Sequence, residues 1–581
     1  MMHGRVIRRR TVDADDVERI DGVHPVLRRV YAARGIRSAA ELDTELGRLA
    51  SPTALSGLDA AVQVLATAVT RGQRVLIVGD FDADGASSCA VAMLALQDMG
   101  AAAVDFLVPN RFEFGYGLSP EIVTEALKRR PAVIITVDNG VSSIDGVAAA
   151  RDAGVRVVVT DHHLPPEHLP AADALVNPNL PGDAFPSKYL AGVGVIFYVL
   201  AALRQHLRDA GWFGSRPEPR MADYLDLVAL GTVADVVPLD HNNRVLVEQG
   251  LRRIRAGRCR PGIRALLDIA GRSGDACTAG DLGFAVGPRL NAAGRLDDMA
   301  VGIQCLLSAT VSDANRHAQR LEALNRRRQH IEAQMEAEAV AAVDDLSRSL
   351  DTEQGPPTAI CVADPGWHQG VVGIVASRLK ERFHRPVIAF APVGNGELKG
   401  SGRSVGGLHL RDALEQVATR QPGLIRRFGG HAAAAGLSLD EALLTAFREH
   451  FQAVVDARLG DGALDGVCLT DGALAPADLT LEMARAIRHG GPWGQEFAEP
   501  RFDGVFEVVG ARVVGERHLK LRLRPEGGRE AVDAIAFRAV DAGWGEDLDG
   551  HVHAAYRLEV NTWRGRESLQ LIVEQLQRAG V

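Results

Sequence analysis

Lysine is scarce in this sequence of 581 residues, which has five lysines against 60 arginines. The net charge is −9 and 24% of the residues are charged, so a histone-like, generally basic protein is excluded. A polyanionic partner would need a local basic cleft rather than a basic surface. The excess of arginine fits a GC-rich genome. Arginine also binds phosphate better than lysine does, because its guanidinium group can donate two parallel hydrogen bonds.

Cysteine is also sparse, with six residues and no CxxC pair. This spacing excludes a zinc ribbon and a disulfide framework, and it indicates reduced thiols in a cytosolic protein. The N-terminal residues MMHGRVIRRR contain no apolar h-region, so we expect no secretory signal. No run of 18 or more apolar residues is present, so we expect no transmembrane helix and a cytoplasmic location.

With 46% hydrophobic residues, the chain has enough apolar content for three or four globular domains. Short apolar runs alternate with helical patterns near its beginning, which predicts an α/β fold with a parallel sheet. The predicted strands of this sheet are RVLIVGD (74–80), AVDFLVP (103–109), AVIITVDNG (132–140) and VRVVVTDHH (155–163).

The remaining chain divides by pattern. Residues 311–349 contain no glycine or proline, which predicts one long connecting helix. Five β-runs near the C-terminus favour a small barrel of the OB-fold type. The predicted domains are a short helical segment (1–50), a catalytic α/β domain (51–210), a helical region ending in the long helix (211–350), a smaller α/β domain (351–458) and the barrel (465–581).

Three polar clusters follow predicted strands: Asp80-Phe81-Asp82-Ala83-Asp84-Gly85, Asp138-Asn139-Gly140 and Asp161-His162-His163. Ligands bind at the carboxyl edge of open α/β sheets, where these clusters should meet. An Asp-rich turn or a calcium-like loop is the alternative for the first cluster, and DNG alone is a common turn. Packed carboxylates repel unless cations neutralise them, and oxygen with imidazole ligands suits Mn²⁺ or Mg²⁺. Two such ions form a clamp for phosphoryl displacement.

The order DxDADG, DNG, DHH resembles that of the DHH phosphoesterases. Further stretches resemble the single-strand-specific DNA exonucleases of bacteria within that family, including the companion DHHA1 domain and the linker into an OB-fold. These stretches are GTVADVVPL (231–239), GPRLNAAGR (287–295), GSGRS (400–404), GGHAAAAG (429–436) and GPWG (491–494). The resemblance runs from about residue 70 to the end.

The resemblance implies specific roles at the predicted metal site. Asp82 and Asp84 would each ligate one of two metal ions, and Asp138 would bridge both. His162 and Asp235 would complete the site of Asp84, while Asp80 would ligate the second ion or shape the loop. His163 would contact the scissile phosphate, with Asp161 orienting the imidazole beside it. The residues expected to carry catalysis are His163, Asp138 and Asp84.

The resemblance also implies residues that bind the DNA. Ser401 and Arg403 match residues that hold a 5′-terminal phosphate, with Gly429, Gly430 and His431 near the same path. Arg289, Asn291 and Arg295 are expected to face the strand. Arg111 would meet phosphate, and its aromatic neighbours Phe112, Phe114 and Tyr116 would stack bases or belong to the core.

The implied activity is metal-dependent hydrolysis of single-stranded DNA from a free 5′ end to 5′-mononucleotides, in recombination and repair. A single-strand-binding protein and a RecQ-type helicase are implied partners, and a nucleoid-associated monomer is the default expectation. Two alternatives use the same fold: an enzyme for oligoribonucleotides, cyclic dinucleotides or pyrophosphate, and an inactive scaffold. The intact set of acidic and histidine residues argues against the scaffold.

Overall fold

A computed structural model describes residues 6–109, 117–349, 357–459 and 466–579. The chain divides into two compact units. The first unit comprises residues 12–325 and 486–499, and the second comprises residues 1–11, 326–485 and 500–581. In the part of the chain that the structure describes, no single helix could cross a membrane by length and apolar content, and one bent pair of helices could (Leu46–Ala54 with Leu58–Thr70).

The first unit is built on a five-stranded parallel sheet, as the alternating pattern predicts. The strands are, in spatial order, Ala103–Leu107, Arg74–Gly79, Val133–Val137, Arg156–Thr160 and Ala174–Val176. Every residue of Val133–Val137 is buried, because helices cover both faces of the sheet. This explains why the sequence shows continuous apolar runs rather than the alternation of a half-exposed strand.

Alternate side chains of these strands enter two different cores. On one face, Leu76, Ile134 and Val157 pack against the helices Pro120–Leu127 and Ile144–Asp152. The other face is covered by helices Leu58–Thr70, Ala83–Asp98 and Gly192–Asp209.

The chain reverses its direction across the sheet at strand Arg74–Gly79. The next strand in sequence, Ala103–Leu107, lies on one side of it, and Val133–Val137 lies on the other. Such a reversal opens a crevice beyond the carboxyl ends of the two strands that diverge. Asp80 and Asp138 each come directly after one of the strands that border this crevice.

The rest of the first unit is helical, as predicted for residues beyond 210. Its helices are Ala14–Glu18, Pro25–Ala32, Leu225–Ala234, His241–Arg255, Pro261–Ile269, Ala279–Asp281, Gly287–Leu296 and Ala300–Leu307. A turn of π-helix, Leu282–Val286, leads into Gly287–Leu296. The long helix runs over Val311–Ser349, as predicted from the absence of glycine and proline there.

The second unit contains a mixed five-stranded sheet. Its strands are, in spatial order, Arg427–Gly430, Ala434–Asp440, Glu397–Arg403, Val387–Gly394 and Ile360–Ala363. The last two are parallel and the other pairs are antiparallel. The helices of this region are Val372–Phe383, Leu410–Arg420 and Leu444–Arg458, and helix Leu481–His489 follows towards the C-terminus.

The five C-terminal strands pair in a closed cycle. In the order of pairing they are Phe502–Val514, His518–Pro525, Val532–Ala536, Arg566–Arg578 and His551–Trp563, which pairs back to the first. The closure leaves no free sheet edge within this barrel.

The N-terminal segment differs from the helical segment expected over residues 1–50. Strand Val6–Arg9 pairs in parallel with Val467–Thr470, and the guanidinium of Arg9 binds Asp503. The partner strand lies near the other end of the sequence, so no local pattern could reveal it. The two helices that follow are short, and the remaining turns are of the 3₁₀ type.

We expect Gly294→Ala to destabilise the first unit. A Cβ atom at Gly294 would lie 1.8 Å from the backbone oxygen of Phe81, in the loop before helix Ala83–Asp98. Overpacking of this kind costs about 1–3 kcal/mol. Gly214→Ala is the control, because a Cβ at Gly214 meets nothing within 4 Å. Thermal melting of both variants tests this, and equal melting temperatures would contradict the packing described.

Candidate metal centre

The first acidic loop is shaped by Asp82, which begins helix Ala83–Asp98. Its Oδ1 atom accepts hydrogen bonds from the backbone N–H groups of Asp84 and Gly85, both at 3.0 Å. A side chain at Gly85 would meet the backbone of Asp80 at 2.5 Å, so glycine permits the tight turn. The turn brings Asp80, Asp82 and Asp84 back over the carboxyl end of the sheet.

Asp84 is fully buried and is held by the start of another helix. Its Oδ2 atom accepts a hydrogen bond from Gly192 N–H at 2.6 Å, and its Oδ1 atom accepts one from Val193 N–H at 3.0 Å. The N-terminus of helix Gly192–Asp209 therefore faces this carboxylate, and a helix N-terminus stabilises negative charge. A Cβ at Gly192 would lie 2.5 Å from Cβ of Asp138, so this approach needs glycine.

Asp138 follows strand Val133–Val137 with a left-handed backbone (φ +61°). A non-glycine residue in this region is uncommon and is often found at functional sites. The side-chain amide of Asn139 donates hydrogen bonds to the carbonyls of Val78 and Val137, at 3.1 and 2.8 Å. Asn139 thus ties together the two strand ends that border the crevice and fixes Asp138 between them.

The two histidines after strand Arg156–Thr160 have different surroundings. Nε2 of His162 lies 3.1 Å from Oδ1 of Asp138 and 3.5 Å from Oδ2 of Asp235, which directly follows helix Leu225–Ala234. Nδ1 of His163 lies 2.7 Å from Oδ1 of Asp161. The Oδ2 atom of Asp161 accepts a further bond from Val141 N–H, so Asp161 orients His163 as expected.

Three groups of side chains could each hold a cation, because within a group one ligand atom of each residue lies within 4.8 Å of the others. The groups are Asp80 with Asp82 and Asp138; Asp84 with His162 and Asp235; and Asp138 with His162 and His163. The family resemblance assigns the second group to one ion and Asp82 with Asp138 to the other, and it leaves the role of Asp80 open. Asp138 lies close to both groups, because His162 Nε2 is 3.1 Å from its Oδ1 atom. The third group also brings His163 within reach of a cation.

The chemistry of these donors fits Mn²⁺ or Mg²⁺. All the groups combine carboxylate oxygens with at most two imidazoles, and none contains a thiol. Burial, and then the charges of Asp235 and Asp82, raises the pKa of Asp84 well above its usual value. Burial, and then Asp84, raises the pKa of Asp138 in the same way. Without a cation, the fold holds these acids only at a cost in electrostatic energy.

The pKa values of the two histidines are shifted in opposite directions. Burial, together with the neighbouring His163, lowers the pKa of His162 to about 4, so its ring is neutral at pH 7, as a metal ligand must be. Burial also lowers the pKa of His163, but the hydrogen bond and charge of Asp161 outweigh it and raise the pKa to about 9. His163 is therefore a cation at neutral pH and suits a position beside anionic oxygens.

Other predicted residues of the first unit have structural contacts. The side-chain oxygen of Asn291 accepts a hydrogen bond from Ala83 N–H at 2.8 Å, so it positions the acidic loop. Arg289 is largely buried, and its guanidinium binds Glu322 at 2.7 Å and the carbonyl of Ala285. Arg295 is half-buried, and Arg111 with its aromatic neighbours lies outside the described residues.

In the second unit, Ser401 and Arg403 lie on one face near the end of strand Glu397–Arg403. Arg403 donates hydrogen bonds to Ser377 Oγ and Ser401 Oγ, both at 3.1 Å, and to the carbonyl of Gly402 at 2.8 Å. No carboxylate pairs with Arg403 among the residues that the structure describes. Burial lowers the pKa of Arg403, and no neighbouring negative charge offsets this effect.

Gly373 brings the start of a helix to this arginine, and the other glycines lie across the sheet from Ser401. A Cβ at Gly373, in the first turn of helix Val372–Phe383, would lie 3.0 Å from Ser401 Oγ and 3.1 Å from Arg403 Nη2. Across the sheet, Ser401 is in register with Gly436, which is in register with Gly429. Gly430 has φ +138°, and His431 N–H binds the carbonyl of Ala434 to close the turn.

Sequence reasoning missed several residues that build these sites. Gly192 and Val193 supply the amides that hold Asp84, and their only signal is the Ala-Gly-Val-Gly run at a helix start. Asn177 and Asn179 donate side-chain hydrogen bonds to the carbonyls of His163 and His162. Gly373 and Ser377 had no signal, because their role depends on a packing contact distant in sequence.

We expect Mn²⁺ to raise the melting temperature of the metal-free protein, and to raise it more at pH 8 than at pH 6. The pKa of Asp235 is raised to about 7, first by burial and then by Asp82. An unfolded aspartate loses its proton near pH 4, so between these values the folded state binds more protons and loses stability as pH rises. At pH 8 the cation meets an ionised Asp235, whereas at pH 6 it must displace the proton of this carboxyl group.

Differential scanning calorimetry with and without Mn²⁺ measures the rise in melting temperature at pH 6 and at pH 8. A cation at 100 times its Kd stabilises by about 2.7 kcal/mol. Asp235→Asn is the matched variant, since it removes the titrating charge, and the difference between the two pH values should shrink. Equal gains for the unaltered protein at pH 6 and pH 8 would contradict the assigned titration.

Comparison with known proteins agrees with this architecture. The family model of the DHH family, N-terminal domain, matches residues 74–232. The DHHA1 domain matches residues 356–457, and the RecJ OB domain matches residues 470–575. The predicted fold class is therefore confirmed at the level of its component domains.

Curated relatives match almost the whole chain. The single-stranded-DNA-specific exonuclease RecJ of Escherichia coli is 53% identical over 572 residues, covering 98% of each chain. The RecJ of Thermus thermophilus is 34% identical, over 96% of this chain and 76% of the relative.

Solved structures of RecJ are also similar to this chain in fold. The crystal structure of the Thermus thermophilus RecJ in complex with Mn²⁺ has a TM-score of 0.81 at 31% identity, covering 99% of this chain and 80% of that one. Its complex with Mg²⁺ has a TM-score of 0.75 at 30% identity, covering 99% and 79%. Both cations expected from the donor set thus occur in these relatives. By its domains, its full-length identity and its fold, the chain belongs to the RecJ family of single-stranded-DNA-specific exonucleases.

Proposed function

We propose that this protein degrades single-stranded DNA from its 5′ end to 5′-mononucleotides by two-metal phosphodiester hydrolysis, in DNA recombination and repair. The observation that carries the proposal is two neighbouring ligand groups, Asp80 with Asp82 and Asp138, and Asp84 with His162 and Asp235. They are linked by His162, whose Nε2 atom lies 3.1 Å from Oδ1 of Asp138. The exonuclease names of the relatives that match 95–99% of the chain support the substrate class.

We assign Asp80, Asp82 and Asp138 to one ion, and Asp84, His162 and Asp235 to the other, with Asp138 shared. Divalent cations bound there would supply Lewis acidity and lower the pKa of a bound water. The N-terminus of helix Gly192–Asp209 holds Asp84 in place for this role. Asp161 holds His163 by Nδ1, and we assign the other ring nitrogen to the scissile phosphate, where it would offset developing charge.

We assign the 5′-terminal phosphate to the sheet of the second unit. Ser401, Arg403 and the first turn of helix Val372–Phe383 converge there, and the bonds of Arg403 all go to neutral oxygens. A helix N-terminus beside a guanidinium without a carboxylate is a favourable place for a phosphate. Gly429, Gly430 and His431, at the strand two positions across the sheet, would follow the same path.

The remaining assignments rest on family membership. We propose a cytoplasmic, nucleoid-associated monomer that works with a single-strand-binding protein and a RecQ-type helicase. Arg111, Arg289 and Arg295 stay proposed contacts to the DNA strand.

Digestion of oligonucleotides labelled at either end tests the activity and its polarity. With Mn²⁺ or Mg²⁺, we expect the 5′ label to leave at once as a mononucleotide, and the 3′-labelled strand to shorten stepwise. EDTA should stop the reaction, and a blunt duplex should resist it. Asp138→Asn is the control. Its cleavage rate should fall by a factor of about 100 or more, because the substitution removes the shared carboxylate. Immediate release of the 3′ label instead would overturn the polarity.

Arg403→Ala should weaken the use of 5′-phosphorylated strands. Hydrogen bonds to a charged group contribute about 1.5–3 kcal/mol, which corresponds to a roughly 10- to 100-fold rise in KM. Strands with a 5′-hydroxyl should lose much less. Arg426→Ala is the charge-matched control, since Arg426 pairs with Glu397 and Asp440 at the opposite end of the same strands. Equal losses on both kinds of 5′ end would reject the contact.

A further inference from the structure

Phe284 is the most exposed of the large apolar side chains in the described part of the chain, with 89% of its surface accessible. It lies in the turn of π-helix Leu282–Val286, in which Gly287 N–H binds the carbonyl of Leu282. Burying a phenylalanine side chain is worth about 1.5–3 kcal/mol, and this ring gains none of it. Turns of π-helix occur frequently at functional sites.

The segment that presents Phe284 packs on two elements that supply metal ligands. Cβ atoms at Gly283 and Gly287 would lie 3.1 Å from Val233 and 3.2 Å from Ala234, the two residues before Asp235. Further along the same segment, Asn291 binds the backbone of Ala83, between Asp82 and Asp84. The segment that carries the ring is therefore anchored to two elements that supply metal ligands.

A second apolar side chain is exposed next to the same ligand. Val236 directly follows Asp235, and 63% of its surface is accessible. Its backbone is left-handed (φ +63°), which is a strained conformation for a β-branched residue. Asparagine or glycine would relieve this strain, and a polar residue would suit the exposure. Val236 is therefore adjacent to Asp235 in sequence, and Phe284 belongs to a segment that packs against the two residues before Asp235.

We propose that Phe284 is a stacking platform for a nucleobase of the single-stranded substrate, next to the phosphodiester held at the metal centre. This inference rests on the proposed function and adds a substrate-binding residue to it. A phosphodiester held among these ligands brings its own bases close to this segment, and a flat apolar ring accepts any base. An exonuclease that degrades a strand of any sequence needs such contacts in place of hydrogen bonds to base edges.

Steady-state digestion by the full-length protein tests the role of the ring. We expect Phe284→Ala to lower kcat/KM on oligonucleotides roughly 5- to 100-fold, the effect of one base stack. Its melting temperature should not change, because the ring packs against little. Phe284→Trp should keep the activity, and Phe284→Leu should be intermediate. Val311→Ala is the control, with another exposed side chain at the start of the long helix.

Oligonucleotides with one abasic site, placed in turn at each of the first four positions from the 5′ end, identify the partner of the ring. At one position the abasic strand should slow the unaltered protein, and Phe284→Ala should cause no further loss there. Full activity of Phe284→Ala on normal strands, or the same loss at every abasic position, would overturn the inference and favour a role in docking another protein. Absence of any cleavage by the unaltered protein would instead overturn the proposed function, and the inference with it.

Discussion

Repulsion between carboxylates gathered at one edge of a parallel sheet is the constraint on which the first unit depends. Two unit charges 4 Å apart at a protein surface interact by about 4 kcal/mol. Backbone N–H groups, some of them at helix ends, offset part of this repulsion. Asp84 and Asp82 each accept two such hydrogen bonds, and Asp161 accepts one from Val141. Cations complete the compensation, and their site exists because the fold holds the anions together first.

The sequence predicts those features of the metal centre that follow from strand topology. Parallel strands end at one edge, so Asp80, Asp138 and Asp161 had to meet once the βα pattern was recognised. The long helix Val311–Ser349 follows equally directly from a stretch without glycine or proline. The family resemblance supplied Asp235, which no strand pattern connects to the cluster.

The contacts that sequence patterns could not reveal join residues distant along the chain. The amides of Gly192 and Val193 reach Asp84 across more than a hundred residues. Glu322 occupies the guanidinium of Arg289, and strand Val6–Arg9 finds its partner near the C-terminus. Each of these depends on which surfaces pack together, and local propensity carries no information about that choice.

The two oxygens of Asp84 have a consequence for how substitutions at the metal centre are interpreted. Each oxygen accepts a separate backbone N–H, so the carboxylate anchors helix Gly192–Asp209 as well as facing a cation. An asparagine has one acceptor, and its amide would point an N–H at the second donor. The customary neutral replacement would thus leave one buried donor unpaired, at about 1–3 kcal/mol, and loosen the helix. Inactivity of such a variant would measure the loss of a structural anchor together with the loss of a charge.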